Sequence, residues 1–141
     1  MKRLAIDYGK RRAGLAITDD TGNVIMPYKI IYYKDSESFI KQIKEILSQL
    51  QPAEIVMGLP LNMNGSESEM SKEVKRISKR IKKDSNIEIK LYDERLTTFE
   101  AQQMLTEQGI SAKKQKEIID MYAAYCILKG YINEELEKRN D

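Results

Sequence analysis

The sequence predicts an α/β fold in which helices flank a mixed five-stranded sheet, with three antiparallel strands followed by two parallel ones. The beginning of the chain holds three apolar strand-like segments joined by short turns, the pattern of an antiparallel meander. From Ser36 onward helical and strand-like spacing alternate, which is typical of parallel strands joined by helices. At 141 residues the chain can bury one core, so we expect a single domain over residues 1–141.

The first three strands are predicted at positions 2–7, 13–18 and 24–33, where apolar and β-branched residues are concentrated. Between the second and third, the segment Asp-Asp-Thr-Gly-Asn supplies the residues that a hairpin turn needs. Ser36–Leu50 then carries apolar residues at helical spacing, and Pro52 marks the end of that helix.

The fourth strand is predicted as a short buried segment, residues 55–57, that ends at Gly58. A loop follows, and Ser66 with Glu69 has the spacing of a capping box that should open the second helix. From position 72 to 83 seven of the twelve residues are Lys or Arg, all opposite the apolar stripe of this helix. The second helix should therefore present a basic face to solvent.

The fifth strand is predicted at residues 87–92, where apolar and polar residues alternate. Thr97 and Glu100 form a second capping box for a helix that Gly109 should stop. The last helix should begin near residues 113–116 and end near Glu137, and its middle is apolar on almost all sides, as in a deeply packed helix.

Composition restricts the chemistry. With no histidine and a single cysteine, Cys126 in an apolar helix, the chain lacks the means for an ordinary zinc site or a histidine-activated nucleophile. Carboxylates, lysines, hydroxyls or a hard metal ion remain. No leader-like apolar region precedes the first strand, and nowhere do about 18 apolar residues run together. We therefore expect a cytoplasmic protein without a membrane partner.

Three acids stand out by their surroundings. Asp7 ends an apolar strand and is followed by a glycine turn and the basic triplet Lys10, Arg11 and Arg12. Glu94 follows the fifth strand, and Asp120 lies within an apolar stretch of the last helix. Ligands of such sheets gather at the carboxyl ends of parallel strands, so the sequence predicts one shared carboxylate site.

Each acid also has a simpler explanation. Asp7 could serve the turn that follows it. Asp93 and Glu94 could form a helix-capping cluster with Arg95, although strand alternation allows only one of the two acids to face the site. Asp120 could pair with Lys116 one turn earlier. Glu94 raises a further difficulty, because a strand between its own and that of Asp7 would separate the two by about 10 Å.

The chain resembles the YqgF (RuvX) family of pre-16S rRNA nucleases and Holliday-junction-resolvase-like proteins, within the ribonuclease H-like superfamily. The resemblance covers essentially the whole chain. It rests on the ordered combination of Asp7-Tyr8-Gly9, Gly58-Leu59-Pro60, Asp93-Glu94-Arg95-Leu96-Thr97-Thr98, and Asp120 preceding Ala123-Ala124.

The resemblance implies a ribonuclease H-like fold and metal-dependent hydrolysis of nucleic-acid phosphodiesters. Asp7, Glu94 and Asp120 are then the predicted catalytic residues and ligands of Mg²⁺ or Mn²⁺, with two ions expected on the general two-metal model. The implied role is maturation of the 5′ end of pre-16S rRNA. Cleavage of structured DNA junctions, the alternative role, uses the same chemistry. The predicted site residues do not distinguish RNA from DNA. The sequence does not define the oligomeric state.

Two other classes of function remain open at this point. A ribonuclease H-like sheet can be a non-catalytic RNA-binding or ribosome-assembly module, although binding a polyanion does not call for three acids. The fold also serves sugar kinases, but those enzymes generally use two copies of the sheet and this chain has room for one.

The predicted nucleic-acid contacts are basic or amide side chains near the carboxylates. The basic side chains either follow Asp7 in the chain or lie at the start of the last helix. One side-chain amide comes from the loop before the second helix. The predicted contacts are Lys10, Arg11, Arg12, Asn62, Lys113 and Lys114. The basic face of the second helix either extends this track or is simply solvated.

Overall fold

The computed structural model describes residues 1–140, and in that part of the chain five strands and four helices alternate largely as the sequence predicts. The strands are β1 (Arg3–Tyr8), β2 (Arg12–Thr18), β3 (Ile25–Tyr32), β4 (Glu54–Leu59) and β5 (Glu88–Asp93). The helices are α1 (Ser36–Leu50), α2 (Glu69–Ser85), α3 (Thr97–Glu107) and α4 (Ala112–Asn140).

The sheet has the strand order β3-β2-β1-β4-β5. β1, β2 and β3 pair antiparallel, whereas β4 pairs parallel with β1 on one side and with β5 on the other. This arrangement confirms the predicted fold class. It also places the carboxyl ends of β1, β4 and β5 at one edge of the sheet, with β4 between the other two.

Helices cover both faces of the sheet. Leu4 and Ile6 of β1 pack with residues of α1 and α2, while the intervening Ala5 faces α4. Small residues on the strands, such as Ala5 and Ala16, allow α4 to pack closely on the sheet. Ile127 of α4 is buried in the same cluster. Strand alternation therefore assigns the side chain of Asp7, two residues beyond Ala5, to the α4 face.

Both predicted capping boxes are wrong in detail. α2 is capped by Ser68, whose side chain and backbone exchange hydrogen bonds with Ser71, because Ser66 is held within the preceding loop by Asn64. α3 begins at Thr97 itself without a side-chain cap. The Thr97 hydroxyl instead donates to Glu94, to its carbonyl and to its carboxylate.

The last helix is longer than predicted, since α4 extends from Ala112 to Asn140. Its packed middle agrees with the sequence: Ala123, Ala124 and Ile127 are fully or almost fully buried. None of the helices in residues 1–140 combines the length and the apolar character that crossing a membrane requires.

Candidate active site

Asp7 lies near the carboxyl end of β1, where a fixed turn follows it. The Gly9 N–H donates to the Arg12 carbonyl at 3.0 Å, and the Tyr33 hydroxyl donates to the Gly9 carbonyl. Tyr33 is itself buried against Tyr8, so it packs in the core and does not serve as a surface aromatic. The half-buried Asp7 carboxyl is therefore presented by a rigid part of the sheet.

Glu94 reaches Asp7 directly, although β4 lies between their strands. The two carboxyl groups lie close enough that the negative charge of Glu94 raises the pKa of Asp7. This approach is possible because Gly58 of β4 has no side chain: a Cβ there would lie 2.6 Å from Cδ of Glu94. Asp93, by contrast, faces away and binds the Arg95 guanidinium at 2.8 Å. The structure thus brings Glu94 and not Asp93 to Asp7.

Asp120 approaches from α4, and a second glycine makes room for it. Gly14 of β2 pairs with Asp7 in the ladder, and a Cβ on Gly14 would overlap the backbone carbonyl of Asp120. The backbone of α4 therefore rests directly on β2 beside Asp7. No side chain larger than hydrogen fits at this contact.

The partner of Asp120 is Arg12, not the Lys116 considered from sequence. Nε of Arg12 lies 2.6 Å from Oδ2 of Asp120. The guanidinium N–H is not aligned with this oxygen, however, and Oδ2 is buried without a well-formed hydrogen bond within residues 1–140. The pair is therefore close in distance but incompletely satisfied.

Burial governs the electrostatics of the three acids. Desolvation raises the pKa of Asp7 well above its ordinary value, and the charges of Glu94 and Asp120 raise it further. Desolvation also raises the pKa of Glu94, to about 7. The pKa of Asp120 is raised by burial as well, against the opposing effect of Arg12. Such a cluster resists ionisation until a cation compensates it.

The donor chemistry fits a hard divalent cation. Asp7 and Glu94 present neighbouring carboxyl groups, and the Oδ2 of Asp120 meets only the Arg12 guanidinium, without a well-aligned N–H, within residues 1–140. As the side chains stand in residues 1–140, no three acidic or cysteine groups converge closely enough to hold one ion together. Asp120 is near enough for its charge to act on Asp7, and its own carboxylate contacts Arg12.

The predicted nucleic-acid contacts lie around this edge, with differing degrees of freedom. Lys10 and Arg11 are exposed in the turn after β1, and Arg11 donates to the carbonyl of Lys34 at 3.1 Å. Lys113 and Lys114 are exposed in the first turn of α4. The Asn62 amide is committed to its own loop, where it donates to Ser66 and Glu67.

The basic face of α2 is largely neutralised by ion pairs. Glu67, Glu73 and Glu37 bind Lys75, Arg76 and Arg80, at 2.6, 3.3 and 2.7 Å. This helix also covers the sheet face opposite α4. The geometry therefore favours the interpretation of a solvated structural face for α2.

Gly14, Gly58 and Thr97 are site residues that sequence reasoning does not assign. A glycine inside an apolar strand is a recognisable sign of close backbone approach, so the first two carry a usable signal. The spacing of Thr97 predicts a helix cap, and its bond to the Glu94 carboxylate cannot be read from that spacing.

Two solved structures share this fold over nearly the whole chain. One is the complex of Fowlpox virus resolvase with substrate Holliday junction DNA, with a TM-score of 0.65 at 13% identity, covering 96% of this chain and 99% of that one. The other is T. thermophilus RuvC in complex with a Holliday junction substrate, with a TM-score of 0.60 at 11% identity, covering 91% and 90%. The fold is that of the ribonuclease H-like resolvases.

Sequence relatives define the family. The sequence model of RuvX, described as Holliday junction resolvase, matches residues 1–134. A Clostridium acetobutylicum protein named "Putative pre-16S rRNA nuclease" is 39% identical over 133 residues, covering 94% of this chain and 98% of that protein. A Halothermothrix orenii protein of the same name is 36% identical, covering 94% and 95%. The chain belongs to the RuvX family and is a nuclease, a hydrolase acting on ester bonds.

We expect Glu94→Gln to stabilise the metal-free protein at alkaline pH. The raised pKa means that the protonated carboxyl favours the folded state and that this contribution is lost as pH rises from 4.5 through about 7. At a pH of about 8 the variant should exceed the parent by about 1–3 kcal/mol. Denaturation in the presence of a chelator across a pH series measures the difference.

Asp93→Asn is the matched control, because Arg95 lowers the pKa of Asp93. Its ionised form favours the folded state, so this variant should lose stability above the ordinary carboxyl range. If parent and Glu94→Gln show parallel pH profiles, the assigned environment of Glu94 is wrong.

We expect Gly58→Ala to reduce cleavage at least about 100-fold while costing only about 1–3 kcal/mol of stability. The added Cβ would lie 2.6 Å from the Glu94 carboxyl and 2.7 Å from Cδ1 of Ile127, so Glu94 must turn away from Asp7. Unchanged cleavage by Gly58→Ala would contradict this account of Glu94.

Proposed function

We propose that this chain is a single nuclease domain that hydrolyses nucleic-acid phosphodiesters with the aid of Mg²⁺ or Mn²⁺, most specifically in maturing the 5′ end of pre-16S rRNA. The observation that carries the proposal is that the Glu94 carboxyl lies over Gly58, near Asp7, and that the exposed basic residues Lys10 and Arg11 follow Asp7 directly. A structural role for two neighbouring, partly buried acids would call for a cationic side chain between them.

Asp7, Glu94 and Asp120 would hold the divalent ions, which when bound supply positive charge against the phosphodiester and its leaving oxygen. In the reaction a water molecule adds to phosphorus, the phosphorus–oxygen ester bond breaks, and the departing oxygen takes a proton. The protein's own part is to fix its acids rigidly and to direct its cations to the neighbouring phosphates.

Exposed apolar side chains follow Glu94 in the chain. Leu96 is 54% and Phe99 57% exposed, and they follow Glu94 by two and five residues. Unpaired bases bind well against such surfaces, because every base has a flat apolar face. We therefore propose a substrate that is unpaired or distorted near the cleaved bond.

The names of the relatives support precursor rRNA, which would place the protein in the cytoplasm where ribosomes assemble. The family description supports a second candidate, a four-way DNA junction. Both substrates present a phosphodiester backbone to the same acids, so only direct comparison separates them.

We expect Asp7→Asn to abolish cleavage and leave the fold intact, because the amide keeps the shape but not the charge that a metal ion requires. Labelled precursor RNA and four-way junctions should be tested in parallel, with and without Mg²⁺. Thermal unfolding serves as the control for folding. Undiminished cleavage by the variant would refute the assigned role, and cleavage of junctions alone would favour the resolvase.

We expect charge reversal at Arg11 and Lys114 to weaken single-stranded RNA binding and to flatten its salt dependence by about one unit of slope for each phosphate that the protein no longer neutralises. Reversal of Lys79 and Lys83 changes net charge equally. Those two lysines have no ion pair within residues 1–140 and lie on α2, across the sheet from the carboxylates. Binding isotherms over a salt series would contradict the proposed track if the α2 pair had the larger effect.

A further inference from the structure

Arg12 stands between two possible partners. Its side chain is 51% exposed and its Nε contacts Asp120, whose side chain is 22% exposed. Arg12 opens β2 directly after the exposed turn of Lys10 and Arg11. One end of the guanidinium therefore faces the carboxylate site while the rest remains accessible to a ligand in solvent.

The Arg12–Asp120 contact joins a half-exposed guanidinium to a partly exposed carboxylate, so a phosphate in solvent can compete for the guanidinium. Oδ2 of Asp120 is buried without a well-formed hydrogen bond within residues 1–140, although Nε lies 2.6 Å away. A guanidinium matches phosphate with two parallel hydrogen bonds, so a nucleic-acid phosphate offers Arg12 a more complete set than Asp120 does. Asp120 in turn would be better satisfied by a divalent cation.

The acids cannot form a complete ion site while this pairing persists. Asp7 and Glu94 lie close to each other, but no group of three acids converges among residues 1–140. Arg12 thus forms an ion pair with Asp120, the third acid. Its positive charge also repels a divalent ion.

We propose that Arg12 competes with the metal for Asp120 and that nucleic-acid phosphate relieves this competition. In the protein without nucleic acid, the ion pair with Arg12 keeps Asp120 from binding the metal ion. When a phosphate binds Arg12, Asp120 is released to join Asp7 and Glu94, so substrate and metal bind with positive cooperativity. This inference rests on the proposed function, since it requires that the acids bind a divalent ion.

Coupling of this kind is reciprocal. The factor by which bound RNA increases the affinity for the metal must equal the factor by which bound metal increases the affinity for RNA. The arrangement would also limit futile occupancy of the site by metal in the absence of substrate. Arg12 is then a positioning residue that acts through Asp120.

The test is the affinity for Mn²⁺ alone, measured by the free-ion paramagnetic resonance signal without nucleic acid. Arg12→Gln should tighten binding by about 5- to 50-fold, in the usual range of coupling between sites. Arg11→Gln is the matched control, because it removes the same charge from the adjacent residue, whose guanidinium contacts the Lys34 carbonyl instead. It should change the affinity by less than about twofold, as expected for a screened exposed charge.

A double-variant comparison separates competition from the general field of the arginine. In an Asp120→Asn background there is no carboxylate to release, so Arg12→Gln should then tighten Mn²⁺ binding less than it does in the parent, by the loss of its charge alone. A saturating phosphorothioate RNA, which resists hydrolysis, should tighten Mn²⁺ binding to the parent but not to Arg12→Gln. Asp7→Asn with the same RNA corrects for ions held by the RNA itself.

The outcomes are distinct. If Arg12→Gln and Arg11→Gln bind Mn²⁺ equally, or if Arg12→Gln binds it more weakly, competition is refuted while the metal site stands. If no Mn²⁺ binds to parent or variant with or without RNA, both this inference and the proposed metal-dependent function fail.

Discussion

The site depends on two glycines that flank Asp7 in the sheet. Gly58 lets the Glu94 carboxyl pass over β4, and Gly14 lets the backbone of α4 bring Asp120 onto β2. A side chain at either position would occupy the space that an acid or its helix needs. The arrangement of the three acids therefore depends on the two glycines as much as on the acids themselves, because only glycine allows such close packing of the backbone.

This packing has a cost in the free protein. Two neighbouring carboxyl groups, both partly desolvated, have raised pKa values, so at neutral pH the cluster opposes folding where it is ionised. The surrounding core offsets that cost with fully buried residues on both faces of β1, among them Leu4, Ile6 and Ala5. Uptake of a proton or binding of a cation would relieve this repulsion.

Periodicity and end signals are sufficient to predict the strand and helix order, because the alternation of β1 to β5 and the stripe of Ser36–Leu50 are local properties. Asp7, Glu94 and Asp120 can also be singled out from sequence as candidates, since acids beside apolar runs are unusual. Their contacts are not predictable. The pairing of Arg12 with Asp120 joins residues more than a hundred positions apart, and the reach of Glu94 depends on β4 lying between two strands that are remote in the chain.

Charge distribution distinguishes the two basic regions that the sequence could not rank. On α2 acids from the same helix, from α1 and from the preceding loop neutralise Lys75, Arg76 and Arg80. Around the carboxylates, Lys10 and Lys113 are exposed without comparable acidic partners among residues 1–140. A polyanion gains most binding affinity from cations that are not already paired with an acid. Such cations can contact phosphates without first breaking an ion pair in the protein. The end of the sheet that holds the acids thus also carries exposed cations that can attract a nucleic-acid backbone, although the chain as a whole has a net charge of only +2.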